Sequence, residues 1–302
     1  MSAPDFPSPE PVCEESLFVA LSGGLGNQLF QWAAGLNFSK NLGLDLVLCN
    51  VEVGDRGFPL SRFGFQGANE ELPSEVKRLI LRRPKKERWA EKVVWNTKWR
   101  SVARRLISEN GISFDSKLEN RIGPGTVIRG GFQSEQYFGN RHSEIRGQLL
   151  SNLRLTSDAE DFLKRQSGKR WAAIHVRRGD YLKFPHVFSI LGQQYFANAR
   201  DWLVQADSSI SEFVVFSDDI DEARKAVPWA DEYVGSEISD PVDVLGVLAS
   251  SKNFIASNST LSWWSSFLHG PQQSVTFPTP WFSDVSIQDS NLLPSWGHLI
   301  RT

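Results

Sequence analysis

The chain has 302 residues, enough for two domains of ordinary size, each with its own core. Its formal net charge of −2 argues against bulk nucleic acid or an anionic membrane surface as the main partner. No apolar run reaches the roughly 18 residues that a membrane span needs.

The first residues, "MSAPDFPSPEPVCEES", carry Pro, Ser and acid but neither a basic start nor an apolar stretch. They read as a flexible tail over 1–16 and not as a signal peptide, so a cytoplasmic location is expected. Cys13 and Cys49 form no CxxC and no Cys/His cluster, which suggests neither zinc nor a disulfide framework. "SLFVAL" (16–21) predicts a buried strand, and "SGGLGNQ" (22–28) a glycine-rich turn. A helix from Leu29 closed by Gly43 and a second strand over 44–50 follow. Strand, glycine loop, helix, strand begins a parallel α/β unit.

The stretch 51–125 shows no regular pattern, and its basic run "RLILRRPKKER" reads as a solvated face. "TVIRGGFQ" (126–133) predicts a strand and "SEQYFGNRHSEIRGQLL" a helix. A second series opens at "RWAAIHV" (170–176) and continues through strands in "EFVVFSDD", "EYV", "NFIAS" and "SVTFPT". Helices in "YFANARDWLVQA", "IDEARKAV", "PVDVLGVLASS" and "TLSWWSSFLHG" alternate with them. The expected class is therefore α/β, with two Rossmann-like domains facing a cleft over 17–155 and 156–302. Ligands of such sheets sit beyond the carboxyl ends of the strands. Four polar motifs fall at such ends: "SGGLGNQ", "HVRRGDY", "SDD" and "SNST".

In "HVRRGDY" the extended backbone sends His175 and Arg177 to one face and Ile174 and Val176 to the other. Arginine's planar fork suits phosphate oxygens, as a departing pyrophosphate requires. A structural Arg–Asp loop network, with Arg178 turned away toward an acid such as Asp180, accounts for the same residues. The glycine turn gives G-x-G at Gly24 and Gly26, but Leu29 stands where a dinucleotide fingerprint has its third glycine. Asn27 either caps the helix or reaches into the cleft. In "SNSTLSWW" neither Ser259 nor Thr260 has Glu or Gln three residues on, so the helix amides are expected to remain open to an anion. Trp263, Trp264, Phe267 and Leu268 read as core, as do most of the 11 tryptophans, although such rings also stack on sugars. Asp219 and Asp221 form a D-x-D, which reads more simply as a helix start capped by Ser217 or Asp218. Asp218 could instead accept hydrogen bonds from a base such as guanine. No metal spacing, P-loop or G-x-S-x-G is present.

"GGLGNQLFQWAAG" (23–35), "GGFQSEQYF" (130–138), "HVRRGDY", "FSDD" (216–219) and "SNSTLSWWSSFL" (257–268) together resemble the glycosyltransferase family that contains the α-1,2-fucosyltransferases. The motifs stand in the family's order; 51–125 and the C-terminal tail are not covered. Trp32 and Leu261 stand where the family commonly has Tyr and Phe. The resemblance implies a GT-B fold and inverting, metal-independent transfer of L-fucose from GDP-β-L-fucose, usually to O2 of a terminal β-galactose. No other cofactor is implied. By that match Arg177 holds the pyrophosphate and His175 lines the donor site. Asp218 reads guanine or ribose, and Ser259, Thr260 and Asn258 hold phosphate. Gly24 and Gly26 admit the donor, and Asn27 sits by the transferred sugar. Asp180, His175 and an acid from the variable region are candidate general bases. Transfer with an α-1,6 or protein-O linkage, a binder with a dead donor site, and a nicotinamide oxidoreductase are the rival readings.

Overall fold

The structure is a computed structural model that describes residues 15–69, 71–81, 106–109, 113–179, 181–183, 185–284, 287 and 289–302. Cys13, Asp180 and residues 82–88 of the basic run lie outside the described residues.

The first half is a five-stranded sheet. Its strands are β1 (Ser16–Ala20), β2 (Asp45–Cys49), β3 (Gly67–Ala68), β4 (Leu106–Ser108) and β5 (Val127–Arg129). They lie in the order β3-β2-β1-β5-β4, with every pairing parallel. β1 is central and wholly buried, which is why "SLFVA" is an unbroken apolar run. It also takes Ser16 out of the segment expected to be a tail. Helix α1 (Leu25–Leu42) follows β1, and α2 (Ser74–Leu81) follows β3.

Helices α3 (His142–Asn152) and α4 (Ser157–Gln166) lead to the second half. Its strands are β6 (Trp171–Val176), β7 (Glu212–Ser217), β8 (Glu232–Val234), β9 (Asn253–Ile255), β10 (Ser274–Thr279) and β11 (His298–Arg301). The order is β11-β10-β9-β6-β7-β8, again all parallel. Helices α5 (Gln193–Ala206), α6 (Ile220–Ala226), α7 (Pro241–Ser250) and α8 (Thr260–His269) make the crossovers. The protein is thus an α/β molecule with two Rossmann-like parallel sheets. None of the described helices is long and apolar enough to cross a membrane.

Several boundaries differ from the sequence reading. α1 begins at Leu25, not Leu29, because Gly24 in extended conformation serves as its N-cap and Gly26 is already helical. Its end is as expected: Gly43 is left-handed, with φ 66, and its N–H bonds Ser39 O. The stretch before α3 is a short 3-10 turn, Glu135–Phe138, stopped by Gly139 at φ 58. β3, β4 and β11 escaped the sequence reading because strands of two to four residues are too short to display a period of two; α2 also escaped it, although Val76, Leu79 and Ile80 recur at helical spacing.

From Leu25 to Ser39 every residue of α1 except Asn27 is buried, so this helix lies inside the molecule rather than on it. One face meets the first sheet; another meets α8. The Phe30 ring lies 4.7 Å from Trp263 and 5.2 Å from Trp264, and Phe138 lies 5.4 Å from Trp264. A single apolar cluster runs from Leu17 and Val19 through these rings to Phe254 and Phe277. Arg62 adds a polar tie, with Nη1 2.8 Å from Asp240 and Nη2 3.1 Å from the buried Asp243.

Because the core is continuous, the two halves should unfold together. Trp264→Ala should lower stability by roughly 3–5 kcal/mol. In urea the midpoint should fall with the slope unchanged and a single transition retained; separate transitions for the two halves would contradict the shared core.

Candidate active site

In the second sheet the chain leaves β6 toward β7 and β8, then returns to place β9 on the other side of β6. This is a topological switch point, where adjacent loops diverge and leave a crevice. Residues 177–179 leave β6 and residues 256–259 leave β9 at this point. The first sheet has its own switch between β1 and β5, where residues 21–24 and 130–133 emerge.

Arg177 is the first residue beyond β6, and its side chain is 23% exposed. Nη1 lies 2.6 Å from Asp218 Oδ2, at the end of β7. The guanidinium carbon stands 5.8 Å from the centre of the Tyr181 ring. Asp218 Oδ1 accepts the Arg178 N–H at 2.9 Å. The carboxylate approaches so closely that a Cβ on Gly179 would lie 2.4 Å from Oδ2, which accounts for the glycine. Both oxygens of Asp218 are therefore committed within the protein, to the arginine fork and its loop. That is a different task from the expected reading of guanine.

Arg178 turns away from Arg177, as alternation predicts, and is 4% exposed. It donates to Leu191 O at 2.6 Å and to Arg177 O at 3.1 Å. Burial lowers its pKa, against the field of Glu222, Asp218 and Asp219. Asn258 also serves the framework. Its amide donates to Ser189 O and Trp281 O, both at 2.9 Å, and its own carbonyl accepts the Tyr181 hydroxyl at 2.8 Å. With both amide hydrogens used, it is not the phosphate ligand expected from the sequence.

His175 is buried between β6 and α8 rather than open to the crevice. Nδ1 lies 2.7 Å from Ser262 Oγ and 3.3 Å from Ser257 Oγ. Burial first, then the charge of Arg177, pushes its pKa down to about 3. The imidazole is neutral at physiological pH and a poor proton acceptor, which removes it from the candidate bases.

The N-termini of α1 and α8 meet at the crevice. A Cβ on Gly26 would lie 2.5 Å from Thr260 Oγ1 and 2.7 Å from Leu261 N, so this glycine exists to let the helices touch and is not open to a ligand. Gly24 differs: a Cβ there would meet nothing within 4 Å. Ser259 caps α8, its hydroxyl accepting Leu261 N at 3.2 Å, so one amide expected to be open is already satisfied. Thr260 is half-buried at the first position of the helix. Asp219, and not Ser217 or Asp218, caps α6 by accepting Glu222 N at 3.1 Å. Among the described residues no three His, Cys, Asp or Glu side chains cluster as metal ligands.

Asn27 does not cap α1. Its Oδ1 accepts Gln133 Nε2 at 3.0 Å, linking the glycine turn to the loop after β5. Three glutamines and a glutamate complete this side without having stood out in the sequence. Gln28 donates to Gly23 O and Gly57 O, and Gln31 to Ser22 Oγ and Gly130 O. Glu109, just past β4, accepts the Phe132 N–H at 2.7 Å. Their only signal was membership in or near the glycine-containing runs, and Glu109 had none. A separate groove of about 420 Å³, lined in part by His142, Phe267 and Trp296, lies at the opposite end of α8 and includes none of these residues.

Comparison with known proteins adds independent findings. The family model described as Glycosyl transferase family 11 matches residues 117–299. An Alpha-1,2-colitosyltransferase from Escherichia coli is 26% identical over 92% of this chain and 97% of its own. A Galactoside alpha-(1,2)-fucosyltransferase 1 from Saimiri sciureus is 27% identical over 53% of this chain, which spans about half, 48%, of that relative. Among solved structures, a FUT1 variant from Arabidopsis thaliana in complex with GDP aligns at TM-score 0.48 and 13% identity, covering 88% of this chain and 70% of that one.

The buried His175 generates a stability prediction. Its folded pKa is below the ordinary 6.5, so only the unfolded chain takes up the proton as pH falls from 6.5 toward 3. Its contribution therefore erodes over that window by roughly 1 kcal/mol per pH unit. In denaturation between pH 6 and 4, His175→Asn should lose stability less steeply than wild type; identical slopes would show that His175 takes up its proton alike in both states.

Proposed function

Because this chain belongs to glycosyl transferase family 11, we propose that this glycosyltransferase is an inverting α-1,2-fucosyltransferase. It moves L-fucose from GDP-β-L-fucose to O2 of a terminal β-galactose in a glycan. The observation that carries the reading is Arg177, held by Asp218 at the β6–β9 switch point beside the start of α8. A nucleoside diphosphate leaving group acquires negative charge as it departs, and a fixed guanidinium facing a helix N-terminus stabilises that charge. Both relatives named above carry an α-1,2 linkage in their names.

In this reading the pyrophosphate lies against Arg177 and the start of α8, near Ser259 and Thr260. Gly24, with open space where a side chain would be, admits the donor to the start of α1. Asn27, the one residue from Leu25 to Ser39 not buried, stands by the transferred sugar with Gln133. As the C1–O bond to phosphate lengthens, the sugar gains oxocarbenium character. The acceptor hydroxyl attacks from the opposite face, turning a β-linked donor into an α-linked product. Arg177 and the helix amides do the work of charge neutralisation, so no metal is required. Asp218 acts through Arg177, as its positioning residue.

A second donor is favoured by one observation: the colitosyl relative aligns over 97% of its own length, the galactoside relative over 48%. The test is product formation from GDP-fucose and from a colitosyl donor on β-galactosyl disaccharides, with NMR of the linkage. An α-1,2-fucoside formed equally with and without EDTA is the expected result; a strict metal requirement would reject charge neutralisation by Arg177 alone. Preference for the colitosyl donor would reassign the sugar and retain the site. Arg177→Lys should lower kcat/KM on the order of 10²–10³-fold, because a point charge cannot reproduce the fork. Near-normal turnover would remove Arg177 from the pyrophosphate.

A further inference from the structure

An attacking hydroxyl must lose its proton, and among the described residues at the second-sheet edge His175, Asp218 and Asp219 are poorly placed to accept it. His175 is neutral and enclosed between Ser257 and Ser262. Asp218 spends both oxygens on the arginine loop, and Asp219 caps α6. The facing edge of the first sheet does supply a carboxylate.

Glu109 follows β4 directly, and its N–H bonds Arg129 O at the end of β5, so it stands at the carboxyl edge of that sheet. Ile107 and Ile128 pack in the same cluster as α1. Two residues beyond Ile107, Glu109 faces the same side of the sheet as α1. Its Oε2 is anchored by the Phe132 N–H at 2.7 Å. Its Oε1 is shielded from water and has no hydrogen-bond partner. Oε2 is thus anchored, while Oε1 meets no donor in hydrogen-bond geometry, although the Tyr137 hydroxyl lies close to the carboxylate, and it keeps a lone pair for a hydroxyl. The loop it anchors is itself unusual: Phe132 has φ 48, in the region that disfavours a side chain. The next residue, Gln133, reaches Asn27.

We propose that Glu109 is the general base, receiving the proton of the acceptor hydroxyl. The proposal rests on the reading of the site as a fucosyl-transfer centre. The acceptor O–H proton passes to the Glu109 carboxylate and the acceptor oxygen forms its bond to C1 of the sugar. The C1–O bond to the β-phosphate breaks and its electron pair leaves with GDP. Asp115, itself paired with Arg121, and Tyr137 are the titratable groups that face Glu109. Burial raises the carboxyl pKa, against the stabilising N–H groups of Phe132 and Gly131 and the Tyr137 hydroxyl. A raised value brings a carboxylate nearer to the pH at which it must exchange protons.

The test uses the full chain with GDP-fucose and an accepted β-galactoside. It compares pH profiles of kcat for wild type, Glu109→Gln and Glu109→Asp, with donor Kd and melting temperature measured in parallel. Wild type should show kcat rising with pH along an acid limb above the ordinary carboxyl range. Glu109→Gln should lose about 10²–10⁴-fold in kcat, keep donor Kd within about twofold and lose the acid limb, and Glu109→Asp should recover part of both. Retention of the acid limb by Glu109→Gln, or a kcat within about threefold of wild type, would overturn the proposal. So would loss of donor binding and thermal stability in step with activity, which would make Glu109 a structural support of the 130–133 loop. A wild-type chain that does not turn over GDP-fucose would fail at the donor, before any variant is made, and is thereby distinguished.

Discussion

The contact between the start of α1 and the start of α8 sets the geometry of everything else. Gly26 sits against Thr260 at a distance no side chain could tolerate, and the rings of Phe30, Trp263 and Trp264 close the space behind it. Each helix follows a central strand of its own sheet, so fixing the two helices fixes the two switch points relative to each other. The two helix N-termini then lie against each other between the two switch points, and their partial positive charges add there. A large apolar core behind them makes the alignment rigid. Rings packed in tilted and edge-to-face contact about 5 Å apart cannot slide without losing dispersion contacts.

Around Arg177, most of the polar residues that read as ligand contacts turn out to mount the arginine. Asp218 holds its fork, Arg178 braces its loop from beneath, and Asn258 ties the Tyr181 segment to the residues around Ser189 and Trp281. His175 props β6 against α8 through Ser262. The reason is physical. A guanidinium at a strand end is useful only if its direction is fixed before the anion arrives, and fixing it takes several buried polar groups, each needing its own partner. A motif of this kind therefore contains more scaffold than contact, and a sequence presents both in the same residue types.

What could be read from the sequence follows from signal length. β1, α1 and the alternating strands and helices after Trp171 carry long apolar runs, and the two-sheet α/β class followed from them. Gly43 and the core tryptophans of α8 were legible because a left-handed helix end and an i, i+4 apolar stripe have local causes. The start of α1 was misplaced because Gly24 and Gly26 look like loop glycines; one is a cap and the other a close approach, and only the packing of α8 distinguishes them. β3, β4 and β11 are too short for periodicity to register. Glu109 was invisible because its meaning depends on β4 lying beside β5, a pairing across residues with no shared local pattern.

The two halves also differ in how strongly the chemistry constrains them. The family match covers residues 117–299, which takes in the second sheet up to the first half of β11 and only β5 of the first. In the proposed reaction a charged leaving group imposes the same demands on the arginine mount and the α8 start whatever sugar accepts. The first sheet contributes β4, the loop at Phe132, Asn27 and the glutamines, which in the proposed reaction face the acceptor. Acceptors vary in shape and in which hydroxyl they present, and a proton can be received by any carboxylate that stands at the right place. Short strands joined by irregular stretches, as between β2 and β5, allow that place to move without disturbing the shared core. On this argument the residue that takes the proton belongs in the part of the chain with the weakest sequence pattern, which is where Glu109 lies.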